Sequence, residues 1–198
     1  ITWEDTRSNT GSADIYAQRI NASGSVLWTG GGVAICTTAE EQSAPNIISD
    51  GFGGAIIGWQ DWSNGVDYDN YAQRISAEGS VLWATNGQAI CATANFEYSP
   101  EIISDGSGGA IFTWWNYVSL AQSKDLYAQR INSTGSVQWA SDGVPICTLT
   151  GWQDEQAIAK DDSGGAIITW TDYRSGTYSD IYAQRINASG VVQWTGNG

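Results

Sequence analysis

Histidine is absent from the 198 residues, and with it the usual general base near neutral pH. There is no Gly-x-Ser-x-Gly elbow either, so that form of serine hydrolysis is excluded. Lysine is scarce, at positions Lys124 and Lys160 alone. With 21 acidic against 8 basic residues, the formal net charge is −13. Such a chain repels phosphate backbones and anionic bilayers, so nucleic acid is not an expected partner. No run of about 18 apolar residues occurs, and membrane insertion is not expected. A signal peptide is missing, and the chain opens at Ile1-Thr2-Trp3 inside a repeat. That reads as a mature fragment or a piece of something longer. Acidity with abundant Ser, Thr, Asn and Gly suits a secreted or cell-surface protein, although salt adaptation would give a similar composition.

The few cysteines and prolines are placed regularly. Cys36, Cys91 and Cys147 lie 55 and 56 residues apart, one per repeat, each after an isoleucine. Equivalent positions in neighbouring units are too far apart for a disulfide, so buried apolar thiols are expected. Without histidine or Cys-x-x-Cys, zinc is not expected. Pro45, Pro100 and Pro145 fall at or near strand edges, where a missing N–H is tolerated.

What is present is a repeat. Asp180-Ile181-Tyr182-Ala183-Gln184-Arg185-Ile186 has counterparts at Asp14 to Ile20, Asp69 to Ile75 and Asp125 to Ile131. The tyrosines at 16, 71, 127 and 182 give spacings of 55, 56 and 55. A fixed period of this order marks a repeat architecture. Each unit reads as a short apolar strand, an Asp-Gly-x-Gly-Gly hairpin, and a second strand with Trp-x-Asp (Asp5, Asp61, Asp172; Asn116 in the third copy). The Tyr-Ala-Gln-Arg-Ile strand follows, then an Asn-Ala-Ser-Gly turn. A fourth strand reaches Trp28, Trp83, Trp139 or Trp194 and runs on to Ile35-Cys36 and its equivalents. On strand two, Ala55, Ile57, Trp59 and Asp61 share a face while Ile56 lies opposite, as in a sheet covered on both sides. Asn21, Asn132 and Asn187 fit a glycosylation pattern, but Ser76 makes the same turn, so a turn role is expected.

Four short strands per 55 residues is one blade of a β-propeller. The expected fold is all-β: four-stranded antiparallel blades of about 55 residues, roughly four in this chain. They form a single repeat domain over 1–198, with a partial blade at 1–36 and blades at 45–91, 100–147 and 157–198. Four copies of strands two, three and four stand against three of strand one, so the ring does not close by itself.

The Gly53-Gly54 pair, Tyr71 and Trp83 resemble propeller repeats of the broad kelch and Asp-box kind, and tandem repeats of large secreted bacterial proteins. The glycines precede strand two rather than ending it, which departs from kelch. No Trp closes the turn after Asp105-Gly106-Ser107-Gly108, which departs from the Asp-box. The resemblance implies a scaffold and says little about activity.

The repeats serve as their own alignment. The one–two and three–four turns are monotonous, whereas the loops of the opposite rim vary, so function is expected on that second rim. It carries Trp62, Tyr68, Phe96, Tyr98, Tyr117, Trp152, Tyr173 and Tyr178, with Glu40, Glu41, Glu97, Asp154 and Glu155. Flat rings beside carboxylates and the guanidiniums of Arg7 and Arg174 suit a sugar, or a protein partner; the same rings would also plug gaps between blades. The candidate ligand-binding set is Trp62, Tyr68, Phe96, Tyr98, Tyr117, Trp152, Tyr173, Arg7 and Arg174, with no catalytic or metal residue assigned. Each Trp-x-Asp carboxylate is expected to cap its own loop or pair with Arg19, Arg74, Arg130 or Arg185. No cofactor is expected; the many Asp and backbone carbonyls make calcium conceivable, but Asp-x-Asp-x-Asp-Gly spacing is absent and Asp67-Tyr68-Asp69 is the nearest approach to it. These observations favour a non-catalytic extracellular module for structure, assembly or protein interaction, binding other chains or its own copies. The alternative is a carbohydrate-binding propeller, and a more remote one a glycoside hydrolase.

Overall fold

The computed structural model is described over residues 1–8, 11–62, 64–118 and 123–198. The described residues form four antiparallel sheets. The first holds β1 (Thr2–Asp5), β2 (Asp14–Ala17) and β3 (Val33–Cys36). The second holds β4 (Gln42–Ser49), β5 (Ala55–Asp61), β6 (Asp69–Ile75) and β7 (Gln88–Cys91). The third holds β8 (Phe96–Ser104), β9 (Ala110–Val118), β10 (Ser123–Ile131) and β11 (Val144–Cys147). The fourth holds β12 (Gln153–Lys160), β13 (Ala166–Asp172) and β14 (Asp180–Ile186). Each sheet is ordered as its strands run in sequence, and β4, β8 and β12 lie next to one another. This is the radial arrangement of propeller blades.

The fourth strand is not where the sequence places it. It is confined to Val33–Cys36, Gln88–Cys91 and Val144–Cys147. The apolar segment before it contributes only single bridges, such as Ile20 to Val26 and Ile75 to Val81. The cause is the glutamine of the third strand. Gln18 Oε1 accepts from the backbone amides of Arg19 and Trp28, and its Nε2 donates to the Thr29 carbonyl at 2.9 Å. Gln73, Gln129 and Gln184 repeat these bonds. The staple holds the tryptophan segment out of the ladder. Strand four therefore occurs three times among the described residues, not four.

Every letter of the third-strand motif has a place. Tyrosine stacks on the tryptophan opposite it, at 6.1 to 6.3 Å between centroids in all four blades. Alanine and isoleucine supply opposite faces to separate cores. Ile15, Ala17, Ile35 and Cys36 pack against Ala55, Ile57, Trp59 and Ile75 of the second blade. Ile56, Ala72, Ile90 and Cys91 pack against Ile102, Phe112, Trp114 and Ile131 of the third. Ile111, Leu126, Ala128 and Cys147 pack against Ile168, Trp170 and Ile186 of the fourth. Both faces of the middle blades are covered, as the pattern around Ile56 and Ile57 requires. The cysteines are free and buried.

The arginine binds the blades together. Asp50 Oδ1 accepts from the amides of Phe52 and Gly54 and so closes the β4–β5 hairpin, while its Oδ2 takes the Arg74 guanidinium at 2.9 Å. Asp105 with Arg130 and Asp161 with Arg185 do the same in the next two blades. The strand-three arginines thus pair with the hairpin aspartates, and not with the Trp-x-Asp carboxylates as one expectation had it. Those carboxylates accept from their own indoles instead, at 2.8 to 3.0 Å for Asp5, Asp61 and Asp172. The Asn21, Asn132 and Asn187 side chains close their turns through backbone amides, as the turn reading expects.

Glycine is obligatory where hairpin and third strand meet. A Cβ at Gly109 would lie 2.2 Å from the Ile131 carbonyl oxygen and 2.9 Å from Asn132 Cα. Neither backbone atom can yield. Gly109→Ala is expected to cost more than about 3 kcal/mol. Gly106→Ala, at φ +79° with nothing near its Cβ, should cost only about 1 kcal/mol. Urea denaturation of the two variants checks the ranking.

Candidate functional site

The variable rim is built from the far ends of the strands. In the third blade the β9–β10 hairpin reaches beyond its counterparts, pairing Tyr117 with Lys124. Residues 9, 10, 63 and 119–122 of the variable loops lie outside the described residues. Each inner strand is bulged at this end, between Ser43 and Asn46, Tyr98 and Glu101, and Asp154 and Ala157. The bulge places Ala44, Ser99 and Glu155 at φ of 51°, 52° and 51°.

The rings of this rim form a continuous ribbon. Trp62 meets Tyr68 edge-on at 4.7 Å and Phe96 at 5.9 Å. Tyr68 meets Tyr98 at 5.6 Å, Phe96 stacks on Tyr98 at 5.7 Å, and Tyr98 meets Trp115 at 4.6 Å. The Lys124 ammonium continues it, 4.1 Å from the Trp115 centroid and 4.8 Å from that of Trp152. Lys124 also donates to Asp154 at 2.9 Å. Tyr117 sits opposite Phe96, and Tyr173 donates its amide to the Trp152 carbonyl. Seven of the nine expected ligand residues therefore fall on or beside one track that crosses three blades. The same rings fill the joint between blades two and three, so they both plug and present.

Arg7 and Arg174 are employed differently. Arg7 pairs with Asp5 and lies 4.1 Å over the Tyr16 ring. Arg174 bonds Asp172 at 2.7 Å and the Asn197 carbonyl at 2.7 Å, 3.6 Å over Tyr182. Each holds its own blade together.

Beside the ribbon, a cleft of about 300 Å³ opens between blades three and four, lined by Ser99, Glu101, Trp115, Asp154, Glu155 and Gln156. Burial raises the Glu101 carboxyl, against a bond from Asn46. Sequence reasoning missed Trp115, Lys124 and Glu101. The first had a signal: where Trp115 stands, the other blades have Glu4, Gln60 and Thr171. Lys124 is one of only two lysines.

Beneath the ribbon lies an irregularity that no other blade shows. Gln42 faces Asp61 and Gln153 faces Asp172 across the inner pair of strands, but in blade three Glu97 faces Asn116. The acid has moved one strand inward, which explains the exceptional Asn116. Trp114 Nε1 and Asn116 Oδ1 are left without a partner by the exchange. Glu97 is fully buried and accepts from Thr93 Oγ1 at 2.5 Å. Burial first, then the Asp69 charge, pushes its carboxyl up to about 8. Asp69 is raised to about 6 by burial and by Asp67. Glu97 Oε2 and Asp69 Oδ1 each lack a conventional donor, and a protonated Glu97 carboxyl can hydrogen-bond the Asp69 carboxylate.

Comparisons with known proteins add the fold. No protein family and no curated protein matches the sequence. Among solved structures, the chain superposes on "endo-arabinase from Bacteroides thetaiotaomicron VPI-5482" with a TM-score of 0.51 and 13% identity, covering 88% of this chain and 66% of that one. It superposes on "a thermostable family-43 glycoside hydrolase" with a TM-score of 0.50 and 13% identity, covering 81% and 56%. The chain thus spans less than two thirds of the length of these proteins. Their likeness defines the class, a β-propeller of about four blades. The finer kelch and Asp-box resemblance finds no family match. The expectation of a non-catalytic structural or protein-interaction module is corrected here, because both superposed chains are carbohydrate-acting enzymes by name. That expectation leaned on the recurrence of Arg, Tyr and Asp in every unit, which the structure employs as scaffold, and such recurrence says nothing about the rim acids that do not recur, Glu97 and Glu101 among them.

Stability should fall as pH rises. A carboxyl raised in the folded state stabilises the fold below its unfolded pKa, near 4, and loses that contribution as pH climbs through 6 and 8. On the acid side, burial tends to raise Asp50, Asp161 and Asp172, but amide and guanidinium donors outweigh it and hold all three low. Their contribution is lost as pH drops below about 4. Thermal melting from pH 3 to 9 should peak near pH 5. Glu97→Gln, which restores the glutamine of the other blades, should raise stability at pH 8 by on the order of 1–3 kcal/mol and flatten the alkaline limb. An unchanged limb in that variant would contradict the assignment.

Proposed function

We propose that this chain is a carbohydrate-binding β-propeller, acting outside the cell or at its surface. The observation that carries the reading is the aromatic ribbon from Trp62 to Trp115, joined to a carboxylate-lined cleft. Sugar rings offer a flat C–H face and a rim of hydroxyls. Aromatic faces take the first by dispersion, and carboxylates such as Glu101 and Asp154 accept from the second. A ribbon running from blade two to blade four suits an oligosaccharide of several units better than a single sugar. The net charge of −13 selects neutral glycans over anionic ones. The names of the superposed enzymes agree with this substrate class.

A second reading, hydrolysis of the bound glycan, rests on the cleft acids. Glu101, with its raised carboxyl, is the candidate proton donor to a leaving oxygen, and Asp154 or Glu155 the second carboxylate.

Affinity electrophoresis against neutral polysaccharides, arabinan included, tests the binding. Tyr98→Ala and Trp62→Ala should each weaken retention roughly tenfold to a hundredfold, about 1–3 kcal/mol, as for lost stacking platforms. Retention by no neutral glycan, or retention unchanged in both variants, would refute the proposal. Release of reducing ends that Glu101→Gln abolishes while retention persists would establish the second reading.

A further inference from the structure

The seam between blades two and three departs from the repeat on both of its sides. Asn70 stands where the other blades have Ile15, Leu126 and Ile181, and Glu97 stands where they have Gln42 and Gln153. Asn70 is 1% exposed and Glu97 is fully buried. Ten buried polar side-chain atoms lack a partner among the described residues, and six of them belong to Asp69, Asn70, Glu97, Trp114 and Asn116 of this one seam. Polar groups sealed in this way cost stability, whereas Ile15 and Leu126, at the position of Asn70, pack into apolar cores.

The aromatic ribbon is carried on the same strand ends. Tyr68 precedes Asp69, Phe96 and Tyr98 flank Glu97, and Trp115 lies between Trp114 and Asn116. Side chains alternate across β8 and β9, so rings and sealed polar groups are two sides of one strip of backbone. The Glu97 amide donates to the Tyr68 carbonyl at 2.8 Å, which ties the blade-two part of the ribbon to the blade-three part. Beside that bond, Tyr68 meets Tyr98 and Trp62 meets Phe96 across the seam. Any movement of Glu97 away from Asp69 therefore reaches the ring contacts that join the blades.

The surroundings of the pair are acidic or neutral. Asp67 and Asp61 add their charge to Asp69, and neither Asp69 nor Glu97 is ion-paired among the described residues. The Thr93 hydroxyl and the Cys91 thiol donate to Glu97. Burial and then the Glu97 charge push that thiol up, with Asp142 adding to the effect. Burial also raises the phenols of Tyr68, Tyr71, Tyr98 and Tyr127, and the carboxyl of Asp125 on the strand beyond Asn116. Thiol and phenols thus keep their protons near neutral pH, and the carboxyls are the groups left to change charge.

We infer that Glu97 and Asp69 position the aromatic ribbon under proton control: a protonated Glu97 bonds Asp69 and keeps the rings of the two blades in one track, whereas two charged carboxylates part the strand ends and break the track between Tyr68 and Tyr98. This rests on the glycan reading, whose binding surface is the ribbon, and it adds a release step. A glycan held in mildly acidic surroundings is let go as pH rises. Glu97 touches no sugar and acts through Phe96, Tyr98 and Tyr68. The sign follows from carboxyls that burial raises to about 6 for Asp69 and about 8 for Glu97. The pair keeps its proton below that interval and loses it as pH climbs through it.

Affinity electrophoresis in gels of arabinan, β-glucan and galactomannan, run from about pH 5 to about pH 9, gives the first test. Retention should fall on the order of tenfold over that range, the usual scale of coupling between two sites. Glu97→Gln and Asp69→Asn should each remove the pH dependence. Near-ultraviolet circular dichroism of the free protein reads the rings themselves, and should titrate over the same interval in the parent chain and in neither variant. Far-ultraviolet dichroism at the same pH values separates this from unfolding. A fall in retention that only accompanies loss of the β signal would overturn the inference. So would retention that is level with pH, or a profile that persists in Glu97→Gln, and these results would leave the glycan reading standing. A ring signal that titrates through Glu97 while no glycan is retained would refute the glycan reading and uphold the coupling.

Discussion

The architecture depends on one backbone carbonyl per joint, that of Ala77, Ser133 or Ala188, which receives an indole and a guanidinium from the preceding blade. Sheets packed face to face by apolar contact alone can slide, because dispersion and area burial have little direction. Two directed donors on one acceptor fix the register. The guanidinium also belongs to the hairpin aspartate in three blades, so turn, strand and joint are set by a single relay. Burying such a pair is tolerable because every group in it is matched, with Asp50 taking amides on one oxygen and arginine on the other.

That relay confines chemistry to the opposite rim. The hairpin end of each blade is consumed by its own hydrogen bonds, and its acids are neutralised by arginine. The variable end keeps the bulges, the long β9–β10 hairpin and the one place where the repeat breaks its pattern. Glu97 is costly there, since a buried carboxyl next to Asp69 destabilises the fold at neutral pH, whereas the glutamines of the neighbouring blades would not. Residues held against stability are characteristic of functional sites. Glu97 itself is sealed from solvent, while Glu101, four residues on, opens to the cleft. On the proposed glycan reading, Glu101 is the acid placed to meet the sugar, with Glu97 and Asp69 buried beneath the ribbon.

The repeat makes the scaffold unusually legible. Tyr-Ala-Gln-Arg-Ile could be placed on a strand, its faces assigned and its turns identified, because four copies share the same constraint. What the copies do not share was read less well. The rim rings were named from their variability alone, and they do converge, because Trp62, Tyr68, Phe96 and Tyr98 sit at loop ends that bulged strands tilt together. Trp115 and Lys124 escaped because they lie within strands, where an aromatic or a lysine stem reads as packing. Arg7 and Arg174 were drawn to the rim by their loop positions, but each is engaged with an aspartate two residues before it.

Local chemistry, then, was determined by sequence: the strand periods, the glycine-dependent hairpins, the buried thiols and the neutralising arginines follow from residue type and spacing of 55 or 56. Tertiary structure decided the rest. Which carboxylate meets which arginine, where the fourth strand begins, and how acids forty or more residues apart come to share one cleft depend on the joint between blades. Period and propensity act over a few neighbouring residues, whereas the seam closes contacts such as Arg19 to Ala77, 58 residues apart, which only packed sheets can bring together.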